Sequence, residues 1–486
     1  MEPQETTPKQ QDRPAITRRK ALQRAGAGLT ALGMATATEG LHSVGAAGRQ
    51  AGRSLRTSAS FDWKRFSGQS LNVLFVNHPW QKAVTPLIPQ FEKLTGINVH
   101  LTVMPESTYY NRTLLGLGAH PAPFDVFFQD LVDFGYNAWQ NGWVEALDGY
   151  LSDTTLTDAA SYQVEDFYPK FLAGFRLPTS TGQLYGIPIT VETYFIFYRK
   201  DIFKKYGINA AQLKTLDDWL AAVEGLAPKL RSEHMYAAAI RGVPASLIDQ
   251  FDAMALDCWG SHPYIERRLN FFDQKWQPQF TDPHVVKALN AWARVEKVSP
   301  PGITAFDWYN CTSQFQQGRV ATFWFDASLF ASIFEDPKVS RVAGNVGYAM
   351  VPAGAPGQAP KTAFWNWGLG IPKNAQHKQV AWYFIQWATS NQIDLQTAPK
   401  TFAPVRQSTW HNEALVRQFP PGFAPAVAFA LDHADDADIL FKGADQIGIK
   451  IGDAITSIYQ GAAPETAAQK LQDQAMTIVK AAGYRK

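Results

Sequence analysis

The order of strand-like and helix-like segments after residue 70 is the feature that most restricts the fold. Residues 71–77 (LNVLFVN) indicate a buried strand, and apolar residues at helical spacing follow it as far as Gly96. Residues 98–103 alternate in polarity as a strand does, and residues 124–128 form a short apolar run. Strand–helix–strand order predicts a mostly parallel sheet covered on both faces. The sequence therefore predicts an α/β lobe over residues 70–190.

The length of the chain predicts a second lobe, because 486 residues exceed what one hydrophobic core normally serves. Residues 185–208 predict an extended segment and then a short helix. Thr215 and Asp218 stand at the spacing of a helix capping box. Residues 318–328 predict a strand, and residues 378–390 (KQVAWYFIQWATS) predict a buried helix.

Composition favours a neutral ligand with apolar faces. Aromatic residues make up 13% of the chain, including 15 Trp. Removal of residues 1–47 would leave 39 Lys and Arg (45 − 6) and 39 Asp and Glu (43 − 4), a formal net charge of zero. Such a protein has no field that attracts nucleic acid or an anionic membrane. Metal-ligand spacings and phosphate-binding loops are absent from the sequence, so we expect no metal and no cofactor.

The first 47 residues predict an export signal. Arg18 and Arg19 begin a basic stretch, and a weakly apolar run follows over residues 25–38. The stretch TRRKALQ resembles the twin-arginine signal, with Ala21 where that pattern prefers Phe. We therefore expect export to the periplasm by this route, with a disordered basic tail as the alternative.

Several motifs in a fixed order carry a family resemblance. They are FEKLTGINVHLTV (91–103), PFDVFFQD (123–130), NGWVEALDGYL (141–151), YGIPITVETYFIFYRKDIFKKYGI (185–208), FQQGRVATFWFDAS (315–328) and KTFAPVRQS (400–408). Together they resemble the family 1 extracellular solute-binding proteins of ABC importers, the group that includes maltose-binding protein. The resemblance implies a two-lobed α/β fold with three interlobe crossings and a ligand cleft. It also implies a monomer without enzymatic activity that delivers its ligand to the permease subunits of an ABC transporter.

A narrower resemblance concerns the ligand. The stretches AIRG, FWFDAS, VGYAMVP, FWNWGLGIP and AWYFIQWATS resemble the branch that binds sugar alcohols such as sorbitol and mannitol. Ser328 replaces a Thr of that branch, Gly368 and Gly370 replace Ala residues, and WYN (308–310) departs from its Asn-Glu pair. The resemblance implies a neutral polyhydroxylated solute, either a sugar or a sugar alcohol.

The resemblance also implies where the lobes meet. The crossings are expected near residues 190–194, 366–371 and 402–406, with the N-terminal lobe over 70–190 plus 369–402 and the C-terminal lobe over 193–367 plus 405–486.

Two tryptophans at the second crossing are the first candidates for ligand contact. Alternation in an extended strand places Trp365 and Trp367 on one face, with Phe364 and Asn366 on the other. Two indoles facing the cleft offer apolar faces to C–H groups and N–H donors to hydroxyls. Core packing between lobe and hinge is the alternative for both, and Phe364 is expected in the core.

Three polar residues in apolar surroundings are further candidates. Glu192 in TVETYF can accept hydrogen bonds from two vicinal hydroxyls, or it can form a salt bridge at the hinge. Asp326, which shares a strand face with Trp324, must be hydrogen-bonded or functional, with a turn cap as the alternative. Arg241 in AIRG suits a diol and a partner carboxylate equally well. We expect Trp324 to contact ligand as well.

The remaining candidates lie near the ends of predicted elements. Trp80 in NHPW and Asp130 in FFQD follow strands of the first lobe, at the edge where open α/β sheets bind ligands. A helix N-cap is the alternative for Asp130. Asn310 is the last candidate. Cys258 and Cys311 allow one disulfide at most, and the sequence leaves their pairing open.

Other classes of protein stay open as alternatives. A secreted glycoside hydrolase would use Glu192 and Asp326 as its carboxyl pair. A binding protein for an amine, a peptide or a ferric complex is a third class. A cationic ligand would require a surplus of carboxylates in the cleft, and the sequence shows no such pattern.

Overall fold

The computed structural model describes residues 61–260, 271–436 and 440–486. The predicted export signal over residues 1–47 lies outside these ranges. In the described part of the chain, no helix combines the length and the apolar character that a membrane span requires.

The described strands are β1 Ser70–Val76, β2 Asn98–Met104, β3 Val126–Gln129, β4 Arg176–Leu177, β5 Gln183–Leu184, β6 Ile187–Arg199, β7 Tyr236–Ala239, β8 Val320–Ala327, β9 Val346–Tyr348, β10 Thr362–Gly370 and β11 Ala434–Asp436. The described α-helices are α1 Pro79–Val84, α2 Ile88–Thr95, α3 Glu106–Leu117, α4 Tyr136–Gln140, α5 Asp148–Ser152, α6 Ala159–Tyr162, α7 Pro169–Gly174, α8 Lys200–Lys205, α9 Leu216–Arg231, α10 Ile248–Trp259, α11 Pro283–Lys297, α12 Trp308–Gln316, α13 Ala331–Phe334, α14 Lys378–Ala388, α15 Asn391–Thr401, α16 Gln407–Trp410, α17 Glu413–Val416, α18 Phe423–His433, α19 Ala444–Tyr459 and α20 Pro464–Ala481.

One mixed sheet carries most of the strands, in the order β2-β1-β3-β10-β6-β8-β7, with β11 beside β10 and β9 beside β6. The predicted strands of the first lobe are confirmed, and β1 pairs in parallel with both β2 and β3. Strand β10 then joins this parallel group in antiparallel orientation. On the other side of the sheet, β7 and β8 pair in parallel.

Strands β6 and β10 connect the two groups of parallel strands. The first half of β6, residues 187–193, pairs with β10 in antiparallel register. Its second half, residues 194–199, pairs with β8 and β9. The hydrogen-bonded ladder therefore continues from one group to the other through the two central strands. The first and second predicted crossings lie on these strands.

Local sequence signals fix several helix boundaries, and those at Gly96 and Thr215 are as predicted. Thr215 and Asp218 form the expected capping box at the start of α9. Gly96 ends α2 with φ of +73°, a left-handed conformation that glycine adopts without strain. Pro464 occupies the first turn of α20, where its missing N–H costs nothing.

The core consists largely of aromatic and aliphatic side chains that fill both faces of the sheet. Phe364 is buried against Phe171, as predicted for a core residue. The helix residues Trp382 and Trp387 are also fully buried. Cys258 and Cys311, whose pairing the sequence left open, are both buried free thiols.

Candidate functional site

A cavity lies beside the two central strands, where they carry polar and aromatic side chains together. The cavity volume accessible to water is about 100 Å³, several times the ~10–15 Å³ that one water molecule needs. Its lining residues are Val76, Asn77, His78, Glu106, Tyr110, Glu192, Arg241, Ser246, Ile248, Asp249, Trp308, Leu329, Phe330, Trp365 and Trp367.

Trp365 and Trp367 both line this cavity, on the same face of β10. Their ring centroids are 6.2 Å apart. Trp367 lies parallel to the ring of Tyr110, with an interplanar angle of 4° and a centroid distance of 6.5 Å. On the opposite face of the strand, Asn366 donates a hydrogen bond to the carbonyl of Phe171. Strand alternation therefore sorts these side chains as the sequence predicted.

His78 is fixed by the start of helix α1. Pro79 occupies the first turn of this helix, and His78 is its N-cap. The backbone N–H of Trp80 donates to Nδ1 of His78 at 3.2 Å, so Nδ1 is an acceptor and the ring proton belongs on Nε2. Burial lowers the pKa of His78 to about 3, which keeps the imidazole neutral at pH 7.

The Nε2 atom of His78 lies 3.3 Å from Oε1 of Glu192. Given the tautomer, His78 donates and Glu192 accepts. Glu192 stands opposite Trp365 in the antiparallel register and is only 6% exposed. Burial raises the pKa of Glu192 well above its usual range, and the carboxylates of Asp249 and Glu106 act in the same direction. Among the described residues, Oε2 of Glu192 has no hydrogen-bond partner.

Arg241 connects a buried carboxylate, that of Asp326, to the half-buried carboxylate of Asp249. Its Nε and its second terminal nitrogen donate to Asp326, at 3.2 and 2.6 Å. Its first terminal nitrogen donates to both oxygens of Asp249, at 3.2 and 3.1 Å, and to the carbonyl of Ser246. Asp249 also accepts a hydrogen bond from the hydroxyl of Tyr194. Of the two partners that the sequence left open for Arg241, the structure shows the carboxylate.

Burial and ion pairing oppose each other in this group. Burial raises the pKa of Asp326 to about 6, although Arg241 favours its ionised form. For Arg241, burial disfavours the charge, but Asp249 and Asp326 together raise its pKa well above its ordinary value. The guanidinium is therefore permanently charged, and the carboxylates of Asp249 and Asp326 neutralise its charge.

A distorted strand positions Asp326. Phe325 has φ of +41°, in the left-handed region that side chains other than glycine rarely adopt. The register between β6 and β8 shifts next to it, as at a β-bulge, which redirects neighbouring side chains. Asp326 and Trp324 are fully buried and do not line the cavity. Trp324 donates instead to the hydroxyl of Thr322, so the structure gives it a packing role.

Three other predicted residues also lie away from the cavity. Trp80 is buried between Phe75 and Phe128, because helix α1 turns it into the core of the first lobe. Asp130 is fully buried at the end of β3. Asn310 is exposed and forms a capping box with Asp307 at the start of α12. Of the nine predicted ligand-binding residues, the structure places four on the cavity: Glu192, Arg241, Trp365 and Trp367.

Two hydrogen bonds cross the cavity between segments that are distant in sequence. The indole N–H of Trp308 donates to Oε2 of Glu106, whose Oε1 accepts from the hydroxyl of Tyr110 at 2.6 Å. The hydroxyl of Tyr309 donates to the carbonyl of Asn77 at 3.2 Å. These bonds join the predicted N-terminal lobe to helix α12 of the predicted C-terminal lobe.

Some residues of the cavity were not predicted from the sequence, because the patterns around them are weak. His78 stands two positions before the candidate Trp80, and Trp308 stands two positions before the candidate Asn310. Glu106 and Tyr110 are one helical turn apart, a spacing that also occurs on ordinary exposed helices. Within the described ranges, no group of three or more His, Cys, Asp or Glu residues is arranged to hold a metal ion.

Comparison with known proteins identifies the class. The sequence pattern of the bacterial extracellular solute-binding protein family matches residues 77–394, more than half of the chain. The chain belongs to this family.

Particular relatives are similar over most of their length. The chain is 29% identical over 374 residues to an erythritol/L-threitol-binding protein of Mycolicibacterium smegmatis, covering 73% of this chain and 74% of that protein. It is 24% identical over 399 residues to a mannitol-binding protein of Pseudomonas aeruginosa, covering 79% and 84%. An ABC transporter solute-binding protein from Agrobacterium vitis S4, solved with bound D-mannitol, superposes with a TM-score of 0.72 at 24% identity, covering 86% and 100%. This likeness confirms the two-lobed α/β fold.

Proposed function

We propose that this protein captures a neutral polyhydroxylated solute, a sugar alcohol, in the cavity and delivers it to an ABC importer. The observation that carries the proposal is the composition of the cavity wall. Aromatic rings of Trp308, Trp365 and Trp367 stand beside the hydrogen-bonding groups of Glu192 and Glu106. The names of the relatives, which bind erythritol, L-threitol or mannitol, support the same class of ligand.

The chemistry of the wall suits an alditol. Its C–H groups pack on indole faces, while its hydroxyls donate to carboxyl oxygens and accept from N–H groups. Oε2 of Glu192 is available for such a bond, because His78 engages only Oε1. No covalent step is needed, since selectivity comes from matching hydroxyls to fixed polar partners inside a cavity lined with aromatic rings.

Closure of the two lobes would couple binding to transport. The bonds from Trp308 to Glu106 and from Tyr309 to Asn77 can form only when the lobes approach. A ligand held by both sides of the cavity favours this closed state by its differential affinity for it. In this proposal the lobes have the boundaries predicted from the sequence. Export by the twin-arginine route, a periplasmic location, a monomeric state and docking of the closed form on the permease belong to the proposal as well.

The geometry does not favour the hydrolase alternative. A glycosidase needs two carboxyl groups that face the same bond of the substrate. Glu192 lines the cavity, but Asp326 is fully buried and binds Arg241 and the backbone N–H of Ala327. The proposed pair is therefore not presented to a common substrate.

Thermal unfolding of the full chain tests the proposal. Erythritol, ribitol and D-mannitol are compared with monosaccharides, disaccharides and simple amines. A ligand at about 100 times its dissociation constant adds roughly 2.7 kcal/mol of stability. We expect this shift with one or two alditols, and we expect Trp367→Ala to reduce it to about 1 kcal/mol or less. Trp143→Ala, at a half-buried indole outside the cavity, serves as the matched control. A folded protein that responds to no alditol and no sugar would refute the proposed ligand class.

A further inference from the structure

The cavity carries more carboxyl groups than cations. Glu106, Glu192 and Asp249 line it, and Asp326 stands directly behind Arg241. Arg241 is the one Lys or Arg side chain among the lining residues, and it is shared between Asp249 and Asp326. Three carboxyl groups and one guanidinium therefore line the cavity, and the guanidinium is already paired with Asp249 and Asp326. A cationic ligand requires such a surplus of carboxyl groups over cations, and no pattern in the sequence indicated it.

The two glutamates have no cationic partner in the described part of the chain. Glu106 accepts hydrogen bonds from two aromatic side chains, Trp308 and Tyr110, which are neutral. Glu192 accepts from His78, which its backbone-fixed tautomer and its burial keep neutral. Lys82 is exposed on helix α1 and is not among the lining residues. A positive charge brought by a ligand would therefore find two carboxyl groups that form no ion pair with Lys or Arg in the described part of the chain, although Arg241 acts on Glu192 from a longer distance.

The aromatic wall points to the same kind of ligand, independently of the carboxyl groups. Trp308, Trp365, Trp367 and Tyr110 present rings around the cavity. The face of an indole attracts an ammonium group through its quadrupole, and the attraction grows when the site is desolvated. A neutral polyol uses these faces only through its C–H groups.

We infer that the cavity binds an amino-substituted polyol, with an ammonium group beside vicinal hydroxyls, more tightly than the neutral polyol of the same carbon chain. This inference rests on the proposed function, because the hydroxyls are bound in the way described for an alditol. The ammonium lies against Oε2 of Glu192, the carboxyl oxygen that has no partner among the described residues.

The electrostatics around Glu192 act in the same sense. The groups that face Glu192 are His78, Glu106, Arg241 and Asp249. Burial raises the pKa of Glu192, Arg241 lowers it, and the carboxylates of Asp249 and Glu106 raise it further. An ammonium group against Oε2 favours the ionised form of Glu192, as a nearby opposite charge does.

Isothermal titration calorimetry tests the inference with two matched pairs of probes. They are D-mannitol with 1-amino-1-deoxy-D-mannitol, and erythritol with 1-amino-1-deoxyerythritol, each titrated at pH 7. Butylamine serves as an amine without hydroxyls. We expect the amino compound of the binding pair to be at least about tenfold tighter than its neutral partner. We also expect weak or no binding of butylamine.

Variants assign the effect to one carboxyl group. Glu192→Gln should bring the ratio of the two dissociation constants close to one. Glu224→Gln should preserve the ratio, because Glu224 pairs with Arg294 outside the cavity. The ratio measured with the unmodified protein is decisive even if Glu192→Gln does not fold.

The outcomes separate this inference from the proposed function. Binding of neutral alditols with equal or weaker binding of the amino compounds overturns the inference and leaves the proposed function standing. Absence of all binding refutes the proposed function. Binding of amino polyols alone supports the inference and removes neutral polyols from the proposal.

Discussion

Replacement of Asp326 by Ala would test how burial and ion pairing balance in the group around Arg241. The substitution removes two hydrogen bonds from Arg241 and one from the backbone N–H of Ala327. Loss of one partner from a buried ion pair costs about 3 to 5 kcal/mol. Arg241 keeps Asp249, so its charge stays compensated. We therefore expect the lower end of that range, about 3 kcal/mol at pH 7.5.

The pH dependence gives the sharper test. Because burial raises the folded-state pKa of Asp326 to about 6, above its ordinary value of about 3.9, protonation stabilises the folded state. The stabilisation that protonation of Asp326 gives to the folded state is fully present below the unfolded-state pKa and is lost as the pH rises through about 6. At pH 5 it amounts to roughly 1.4 kcal/mol. Asp326→Ala lacks it, so the substitution should cost about 4 to 5 kcal/mol at pH 5.

Calorimetric unfolding at both pH values measures the effect. An unfolding entropy of about 2.1 cal/mol/K per residue gives roughly 1.0 kcal/mol/K for this chain, so the melting temperature should fall by about 3 °C at pH 7.5 and about 4 °C at pH 5. The control is Asp201→Ala, which breaks the more exposed pair with Arg199 and should cost less than about 1 kcal/mol. A smaller loss at pH 5 than at pH 7.5 would refute the reasoning, because it would mean that ion pairing outweighs burial.

Three further predictions concern the cavity and the thiols. Trp367→Ala should weaken binding of the recognised alditol by roughly 2 kcal/mol or more, about 30-fold in dissociation constant by calorimetry; unchanged affinity would exclude this indole from ligand contact. Tyr309→Phe removes one bond across the cavity and should weaken every ligand by a common factor of about 2 to 10; a change in the order of ligands would contradict a role limited to closure. Cys258 and Cys311 should resist an aromatic disulfide reagent in the native protein, because both thiols are buried and burial raises the pKa of each. Both should react after unfolding, and rapid reaction of the native protein would be inconsistent with their burial.

The parts of the fold and site that follow from local pattern were predictable from the sequence. Strand alternation placed Trp365 and Trp367 together on one face, and the cavity confirms that arrangement. A carboxyl group in an apolar strand required a hydrogen-bonding partner or a functional role, and Glu192 accepts a hydrogen bond from His78 and lines the cavity. The helix start at Thr215 followed from capping chemistry. In each case the physical cause acts within a few residues of the chain.

The remainder depends on contacts that local pattern does not encode. Strands β3 and β8 are buried on both faces, so sequence alone could not tell the cavity side of Trp324 from its core side. Glu106 and Trp308 are 202 positions apart, and Arg241 and Asp326 are 85 apart. Such partners meet only after the lobes have formed. The acidic surplus of the cavity arises from these meetings, so no single stretch of sequence showed it.

The continuous ladder through β6 and β10 has a consequence for anyone who wishes to re-engineer the protein. Trp365 faces Glu192 and Trp367 faces Thr190 across that ladder, so part of the cavity wall belongs to the two strands that connect the halves of the sheet. A substitution at these positions would change the cavity and the connection together. Other parts of the wall, such as Glu106 and Trp308, lie on helices. A change of ligand preference introduced there would leave the connecting strands intact.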